Sequence, residues 1–237
     1  MELRVICDNR PYDERLRLCW GFSCLVGDEI LFDTGEMGEI LLHNMEQLGI
    51  DPAALTTVII SHDHYDHTGG LDALLEKNPR ISVQALSLFS ERFRQMVQHH
   101  GSHILVEDDK SRELAPQVYT TGLIQGSYGG RPIAEQSLVI KTEGGVAVIT
   151  GCAHPGIVKI LDRVRGQFED PLEMVMGGFH LMQESPDAVD LVVQEFMDRQ
   201  VQRVAPTHCT GEDAIEVFAR SYGDKCLDIG AGSPVTI

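Results

Sequence analysis

The chain has 237 residues, 43% hydrophobic and 23% charged, and these globular proportions exclude disordered and fibrous proteins. Its net charge of -17 argues against nucleic-acid binding, because an acidic surface repels a phosphate backbone, but it permits a small anionic substrate beside a bound metal. We find neither the ~18–20 apolar residues that span a bilayer nor a signal peptide, and therefore expect no membrane partner and a cytoplasmic location.

Short β-branched runs that end at Gly, Asp or His alternate with helix-like segments along the chain. The predicted strands are 3–7, 22–26, 29–33, 57–61, 81–85, 104–106, 137–142, 146–150, 173–176, 203–206 and 226–229. The predicted helices are 37–48, 71–77, 86–98, 155–165, 186–200 and 211–221. Ser185 before Pro186 predicts a helix N-cap. The glycine-rich segment 121–130 predicts a loop, and loops often carry function.

No linker divides the chain, so we predict one domain over residues 1–237, with two packed sheets and helices outside. The six cysteines include no Cys-x-x-Cys pair, which favours free thiols. Most of them, Cys209 included, are interpreted as small buried packing residues.

The segment Thr57–Gly70 carries the most informative pattern. An apolar strand runs directly into His62, His64, Asp66 and His67 and then turns through two glycines. Residues two apart in an extended segment project to the same side, so His62 and His64 can bind one ion together. Asp66 and His67 follow in the turn and point to a neighbouring position. Imidazole and carboxylate ligands suit zinc, iron or manganese better than calcium or magnesium.

The pattern His62-x-His64-x-Asp66-His67 behind an apolar strand resembles the metal-binding motif of the metallo-β-lactamase-fold hydrolases. The early strand that ends Asp33-Thr34-Gly35 is similar to the same superfamily's early strand. Segments 150–156, 177–181 and 206–211 resemble a branch of metal-dependent hydrolases with dihydropteroate-synthase-like and ribofuranosylaminobenzene-phosphate-synthase-like members.

This resemblance implies an α/β fold, an αββα sandwich of two mixed β-sheets with helices on the outer faces. It also implies a dinuclear site for two divalent transition-metal ions, zinc first and manganese or iron as alternatives. His62 and His64 match the ligands of the first metal, and Asp66, His67 and His208 match those of the second. Asp33 matches the aspartate that supports the site from behind its ligands.

The sequence departs from the family pattern at two places. It reads Glu135-Gln136 where the family has a histidine, and Thr150-Gly151-Cys152 where the family has Thr-Gly-Asp. In one solution His154 binds the first metal and Cys152 lies beside the site. In the other Glu135 is the ligand and Cys152 bridges the metals. We favour His154, because imidazole replaces imidazole and a bridging thiolate would reduce the Lewis acidity of the metals.

The expected function is metal-dependent hydrolysis of an ester, phosphoester or lactone-like small molecule, by a hydroxide formed from a water whose pKa two metals lower towards about 7. Asp66 holds the second metal and orients the nucleophile. His180 follows an apolar strand with two glycines, which allow close approach to a ligand. We therefore predict that it protonates the leaving group or binds an anionic oxygen.

Three other functions stay open. A pterin-related synthase is the principal alternative and rests on the resemblance alone. A di-iron redox protein is disfavoured, because that variant of the fold has glutamate at the position of His64 and no flavin domain follows here. A metal-bound sensor without catalysis is disfavoured by the full ligand set. The sequence leaves the oligomeric state undetermined.

Overall fold

The computed structural model describes residues 1–107 and 109–237, and the side chains of all of these except residues 103–107. The strands are Glu2–Cys7 (β1), Ser23–Val26 (β2), Ile30–Phe32 (β3), Thr57–Ile59 (β4), Ser82–Leu86 (β5), His103–Glu107 (β6), Arg112–Ala115 (β7), Val118–Thr120 (β8), Ile124–Tyr128 (β9), Arg131–Glu135 (β10), Leu138–Lys141 (β11), Val146–Thr150 (β12), Leu172–Gly178 (β13), Arg203–Thr207 (β14) and Pro234–Thr236 (β15). The α-helices are Gly38–Gln47 (α1), Tyr65–Thr68 (α2), Leu71–Lys77 (α3), Glu91–His99 (α4), Ile157–Gln167 (α5), Pro186–Asp198 (α6) and Glu212–Tyr222 (α7). The chain forms two compact units, Met1–Asp108 with Ile229–Ile237 and Asp109–Asp228.

The first unit is built on a seven-stranded sheet of order β15-β1-β2-β3-β4-β5-β6. Its strands β3 to β6 are parallel, whereas β15, β1, β2 and β3 pair antiparallel. Helices connect the parallel strands, since a parallel pair needs a long crossover. The short strands β2 and β3 are buried along their whole length, which explains their continuous apolar sequence. After the carboxyl end of β4, the chain continues through His62 to the helix α2.

The second unit contains a six-stranded mixed sheet of order β14-β13-β12-β11-β8-β7 and a separate hairpin formed by β9 and β10. The strands β12, β13 and β14 are parallel neighbours, so their carboxyl ends lie at one edge of the sheet. The core of this unit is formed by apolar residues of these strands and of α5, α6 and α7. At its centre the rings of Phe179, Phe196 and Phe218 lie 5.2–5.4 Å apart, centroid to centroid.

Several predicted elements were wrong. The segment 121–130 is not one loop, because it contains β9, which pairs with β10 through the two glycines Gly129 and Gly130. Both glycines have positive φ, +54° and +74°, as a tight hairpin turn requires. The strand predicted at 226–229 is absent, since only an isolated bridge links Cys226 to Val204. The helix predicted from 86 begins at Glu91, after Ser90 accepts a hydrogen bond from the backbone N–H of Phe93 at 3.2 Å.

Other predictions were confirmed. The bounds of β12 and α3 agree with the predicted ranges. Ser185 is the N-cap of α6, and its hydroxyl accepts a hydrogen bond from Ala188 N at 3.3 Å. The two sheets are both mixed and are accompanied by helices, as the predicted α/β class requires. Within the described part of the chain, no helix has the length and apolar character needed to cross a membrane.

Candidate metal centre

In the first unit, the predicted ligands lie just beyond the carboxyl end of β4. His62 is fully buried, and His64 occupies the N-cap position of α2 in an extended conformation. The ring centroid of His62 lies 4.8 Å from that of His64 and 4.2 Å from that of His67. Asp66 and His67 are buried, and the turn in which they lie is the single helical turn α2. The strand end and this short helix therefore bring the four residues together.

Asp33 fixes the orientation of two of these histidines. Its Oδ2 lies 2.6 Å from His67 Nδ1 and accepts the Ser61 hydroxyl at 2.7 Å, while its Oδ1 accepts Ser61 N at 2.7 Å. Because the Ser61 hydroxyl donates to Asp33, it accepts from His62 Nδ1, which lies 2.8 Å away. Both histidines therefore carry their proton on Nδ1, and Nε2 is the nitrogen that presents a lone pair.

Two of these acceptors face one another in the first unit. The Nε2 of His67 lies 3.6 Å from Oδ2 of Asp66. With the His67 proton on Nδ1, an imidazole lone pair and a carboxylate oxygen meet at this distance. A cation between them would interact favourably with both. Burial raises the pKa of Asp33, and the neighbouring His67 and the hydrogen bonds from His67 and Ser61 oppose this shift.

In the second unit, Glu135 holds the turn that follows β12. Its Oε1 accepts the backbone N–H of Cys152 at 3.0 Å and of Ala153 at 2.7 Å. Its Oε2 accepts His154 N at 2.8 Å and lies 2.9 Å from His154 Nδ1. Burial alone would raise the pKa of Glu135, but the hydrogen bond and electrostatic interaction with the His154 ring, with the backbone donors, lower it. Each carboxylate oxygen thus accepts two hydrogen bonds. Because His154 uses Nδ1 for this contact, Nε2 is the ring nitrogen that is left to bind a metal.

The β9–β10 hairpin closes around His154. A Cβ atom on Gly126 would lie 2.6 Å from the carbonyl carbon of His154, so only glycine permits this approach. The ring of Tyr128 lies 5.2 Å from that of His154 and 5.7 Å from that of His180, with both pairs nearly perpendicular. The rings of His154 and His180 are 4.7 Å apart. The hairpin therefore contacts His154 through Glu135 at its base and Tyr128 at its tip.

Two buried thiols lie beside these imidazoles. Cys152 Sγ is 3.4 Å from His208 Nε2, and Cys209 Sγ is 3.6 Å from the carbonyl oxygen of Cys152. Burial would raise the pKa of Cys209, but the hydrogen bond with Cys152 and the imidazoles of His208 and His180 hold it well below its usual value. The hydrogen bond with Cys209 raises the pKa of His180. Cys209 is buried as predicted, but it is also part of a polar cluster.

Backbone strain coincides with the predicted site residues. Asp33, His180 and His208 adopt positive φ angles of 57°, 56° and 52°. This left-handed region costs a residue other than glycine about 1–3 kcal/mol, and such strain is concentrated at functional sites. Each of the three residues directly follows a strand, or lies within two residues of its end. Positive φ also occurs at Gln117, Ala153 and Gln200, so the three site residues are half of the six described non-glycine residues in this region.

The predicted residues thus form two local groups. Asp33, His62, His64, Asp66 and His67 belong to the first unit, and Glu135, Cys152, His154, His180 and His208 belong to the second. The carboxylate of Glu135 is engaged by four N–H groups, which favours His154 over Glu135 as the metal ligand. The prediction omitted Ser61 and Tyr128 and assigned Cys209 to packing alone. The position of Ser61 directly before His62 could have indicated that it contacts the site.

The chemistry of the donors fits a transition metal. The set combines imidazoles and a carboxylate, which zinc, iron and manganese bind in proteins. His62, His67 and His154 each engage Nδ1 with a hydroxyl or carboxylate partner. Metal-ligating histidines characteristically have such a partner, which fixes the tautomer and the ring.

Comparisons with known proteins identify the family of the chain. The profile of the metallo-beta-lactamase superfamily matches residues 25–208. A 7,8-dihydropterin-6-methyl-4-(beta-D-ribofuranosyl)-aminobenzene-5'-phosphate synthase of Methanocaldococcus jannaschii is 26% identical over 243 residues, which cover 86% of this chain and 82% of that protein.

Two solved structures share the fold. The crystal structure of a metal-dependent hydrolase of the beta-lactamase superfamily has 30% identity and a TM-score of 0.84, with 100% of this chain and 99% of that chain covered. A metallo-beta-lactamase fold protein from Bacillus subtilis has 13% identity and a TM-score of 0.71, with 99% of each chain covered. These likenesses confirm the predicted fold class and the resemblance. The chain belongs to the metallo-beta-lactamase superfamily.

Proposed function

We propose that the protein is a metal-dependent hydrolase of small ester, phosphoester or lactone-like molecules. The observation that carries this proposal is the orientation of its histidines. His62, His67 and His154 are buried, and each has Nδ1 engaged by a polar partner. Burying and aligning several imidazoles costs free energy that a structural role alone does not recover. A ligand that binds their Nε2 atoms explains the arrangement.

The proposed metal ligands are His62, His64, Asp66, His67, His154 and His208. The superfamily profile spans all six positions, which supports their assignment to one function. Bound divalent transition metals, zinc first and iron or manganese as alternatives, supply a nucleophile at neutral pH and polarise the scissile bond. We propose two ions, as the ligand count favours.

Orientation of the attacking group and proton donation to the leaving group are assigned to side chains of the protein. Asp66 presents a carboxylate oxygen beside His67 and is proposed to orient the attacking group. His180 is exposed, lies beside His154 and has a raised pKa through its hydrogen bond with Cys209. A raised pKa increases the protonated fraction near neutrality, which suits proton donation to a leaving group. Cys152 lies next to His208 and is proposed to support the site without being indispensable.

Metal content and hydrolysis test this proposal together. Protein reconstituted with zinc, manganese or iron should hold about two ions per chain, as the ligand count predicts. It should hydrolyse at least one member of a panel of phosphodiesters, lactones and thioesters. His64→Ala should lose metal and turnover while keeping the fold, because His64 lies beyond a strand end.

The matched control is His99→Ala, which removes an exposed histidine at the end of α4. It should retain both properties. Trace metal after reconstitution, or full turnover in His64→Ala, would refute the proposal.

A pterin-related synthase is the second candidate. It is favoured by the 26% identity to the Methanocaldococcus jannaschii synthase over 86% of this chain. The test is incubation with a 6-methyl-7,8-dihydropterin that carries a leaving group on its methyl carbon and with a beta-D-ribofuranosyl-aminobenzene 5'-phosphate, with product detected by mass spectrometry. A condensed product without turnover of the hydrolytic panel would favour this candidate over hydrolysis. A cytoplasmic location and the absence of nucleic-acid and membrane partners stay predictions from composition.

A further inference from the structure

Three side chains that the proposed hydrolytic ligand set leaves out converge at one edge of the second sheet. Cys152 follows β12, His180 follows β13 and Cys209 follows β14. These strands are parallel neighbours, with Thr150 aligned to Gly177 and Gly178 aligned to Thr207. Because carboxyl ends of parallel strands meet at one edge, residues distant in sequence become adjacent there.

The backbone permits this close approach at Gly178. A Cβ atom there would lie 2.6 Å from Cys209 Sγ and 3.3 Å from Cys152 Cα, so a larger residue would displace the thiol. His180 adopts a positive φ of 56°, which turns its side chain away from the course of a regular strand. One ligand atom from each of Cys152, His180 and Cys209 lies within 4.8 Å of the other two.

The geometry is compatible with a single ion. A tetrahedral zinc site with Zn–S distances of about 2.3 Å separates its two sulfur atoms by roughly 3.8 Å. The three ligand atoms lie within 4.8 Å of one another, a limit that accommodates this separation. Both thiols are buried, whereas His180 is exposed, so solvent reaches the group from the imidazole side. The charges of Glu135 and Glu184 act on His180 and favour a cation there.

We propose that Cys152, His180 and Cys209 form a binding site for a thiophilic metal ion such as Zn²⁺, Cd²⁺ or Cu⁺. Two sulfur ligands and one imidazole select soft or borderline ions, in contrast to the imidazole and carboxylate set proposed for hydrolysis. The fourth position is taken by water. Binding of an ion releases to solvent whichever protons the two sulfur atoms and the ligating imidazole nitrogen carry beforehand, and no electron transfer is involved.

Occupancy of this site has a consequence for catalysis. A metal ion bound to His180 occupies the nitrogen lone pair to which a proton would otherwise bind. His180 then cannot donate a proton to a leaving group. A thiophilic ion should therefore inhibit the enzyme while the hydrolytic metals remain bound. This consequence rests on the proposed function, whereas the binding itself does not.

The binding experiment uses Cd²⁺ added to the full-length protein in the presence of a non-thiol reductant. Cadmium bound to thiolates gives an ultraviolet charge-transfer band, and none of the proposed hydrolytic ligands is a cysteine. We expect the intensity of this band to rise with added Cd²⁺ and to stop rising sharply at one ion per chain. Cys209→Ser should weaken the cadmium affinity by at least about 100-fold, beyond the ~10–100-fold typical of supporting residues. His180→Ala should weaken it comparably.

The matched control is Cys226→Ser, which removes another thiol of the second unit and should leave the band unchanged. If the band persists in Cys209→Ser but disappears in Cys152→Ser, Cys152 binds metal without Cys209 and the proposal is overturned. A reduced protein that takes up no cadmium also overturns it. Cadmium binding without any hydrolytic activity would leave this proposal intact and count against the proposed function instead.

Discussion

Replacement of Glu135 by glutamine tests how the turn after β12 is held. The carboxylate accepts four N–H groups, and an amide can offer an oxygen to only two of them. When the amide nitrogen faces His154, the backbone N–H of His154 loses its acceptor inside the protein. A buried unsatisfied N–H costs about 1–3 kcal/mol, and the other bonds weaken because their acceptor is no longer charged. The easier burial of a neutral group offsets part of this loss, so Glu135→Gln should cost about 2–4 kcal/mol.

The same substitution should also weaken metal binding, because it changes the tautomer of His154. An amide N–H opposite Nδ1 favours the form in which Nδ1 accepts and Nε2 carries the proton. A protonated Nε2 cannot bind a metal ion. Loss of a partner that orients a ligand typically weakens metal affinity about 10–100-fold, and we expect an effect of that size on one of the two ions.

Urea unfolding followed by circular dichroism and zinc competition with a chromophoric chelator measure the two effects. The matched control is Glu143→Gln, an exposed carboxylate in the turn between β11 and β12, which should change neither value. Unaltered stability of Glu135→Gln would refute the role of Glu135 in the turn. Lower stability with unaltered zinc affinity would show that His154 is not a ligand, and Glu135 would then be tested as the ligand instead.

Three further predictions concern stability, each measured by urea unfolding. Phe196→Ala should cost about 3–5 kcal/mol, because it removes a fully buried ring from the centre of the second unit; a loss below 1 kcal/mol would contradict that packing. Gly126→Ala should cost about 1–3 kcal/mol, since its Cβ would lie 2.6 Å from the carbonyl carbon of His154, and normal stability would show that the hairpin does not rest on this turn. Gly166→Ala, in α5 with no atom within 4 Å of the new Cβ, should instead stabilise the protein by about 0.5–1 kcal/mol, and a destabilised variant would refute the open space described there.

The sequence by itself determined the features that depend on local pattern. The β-branched run at 146–150 and the amphipathic segment at 71–77 correspond to β12 and α3 without any shift of bounds. The fold class was implied by the resemblance of the His62–His67 motif to the metallo-β-lactamase superfamily, and that motif and its preceding strand lie within one short segment. The N-cap at Ser185 is likewise a contact over three residues, between its hydroxyl and Ala188 N.

Only the tertiary structure decided the features that depend on partners distant in sequence. The glycine-rich segment becomes a strand because β10 pairs with it, and its composition alone favours a loop. Asp33 reaches His67 across 34 positions, and Glu135 reaches His154 across 19. Cys209 joins Cys152 and His180 because three parallel strands end at one edge of a sheet. Sequence periodicity records which face of an element is buried. It does not record which element lies opposite, because strand pairing and hydrogen bonding between distant segments arise only when the chain folds.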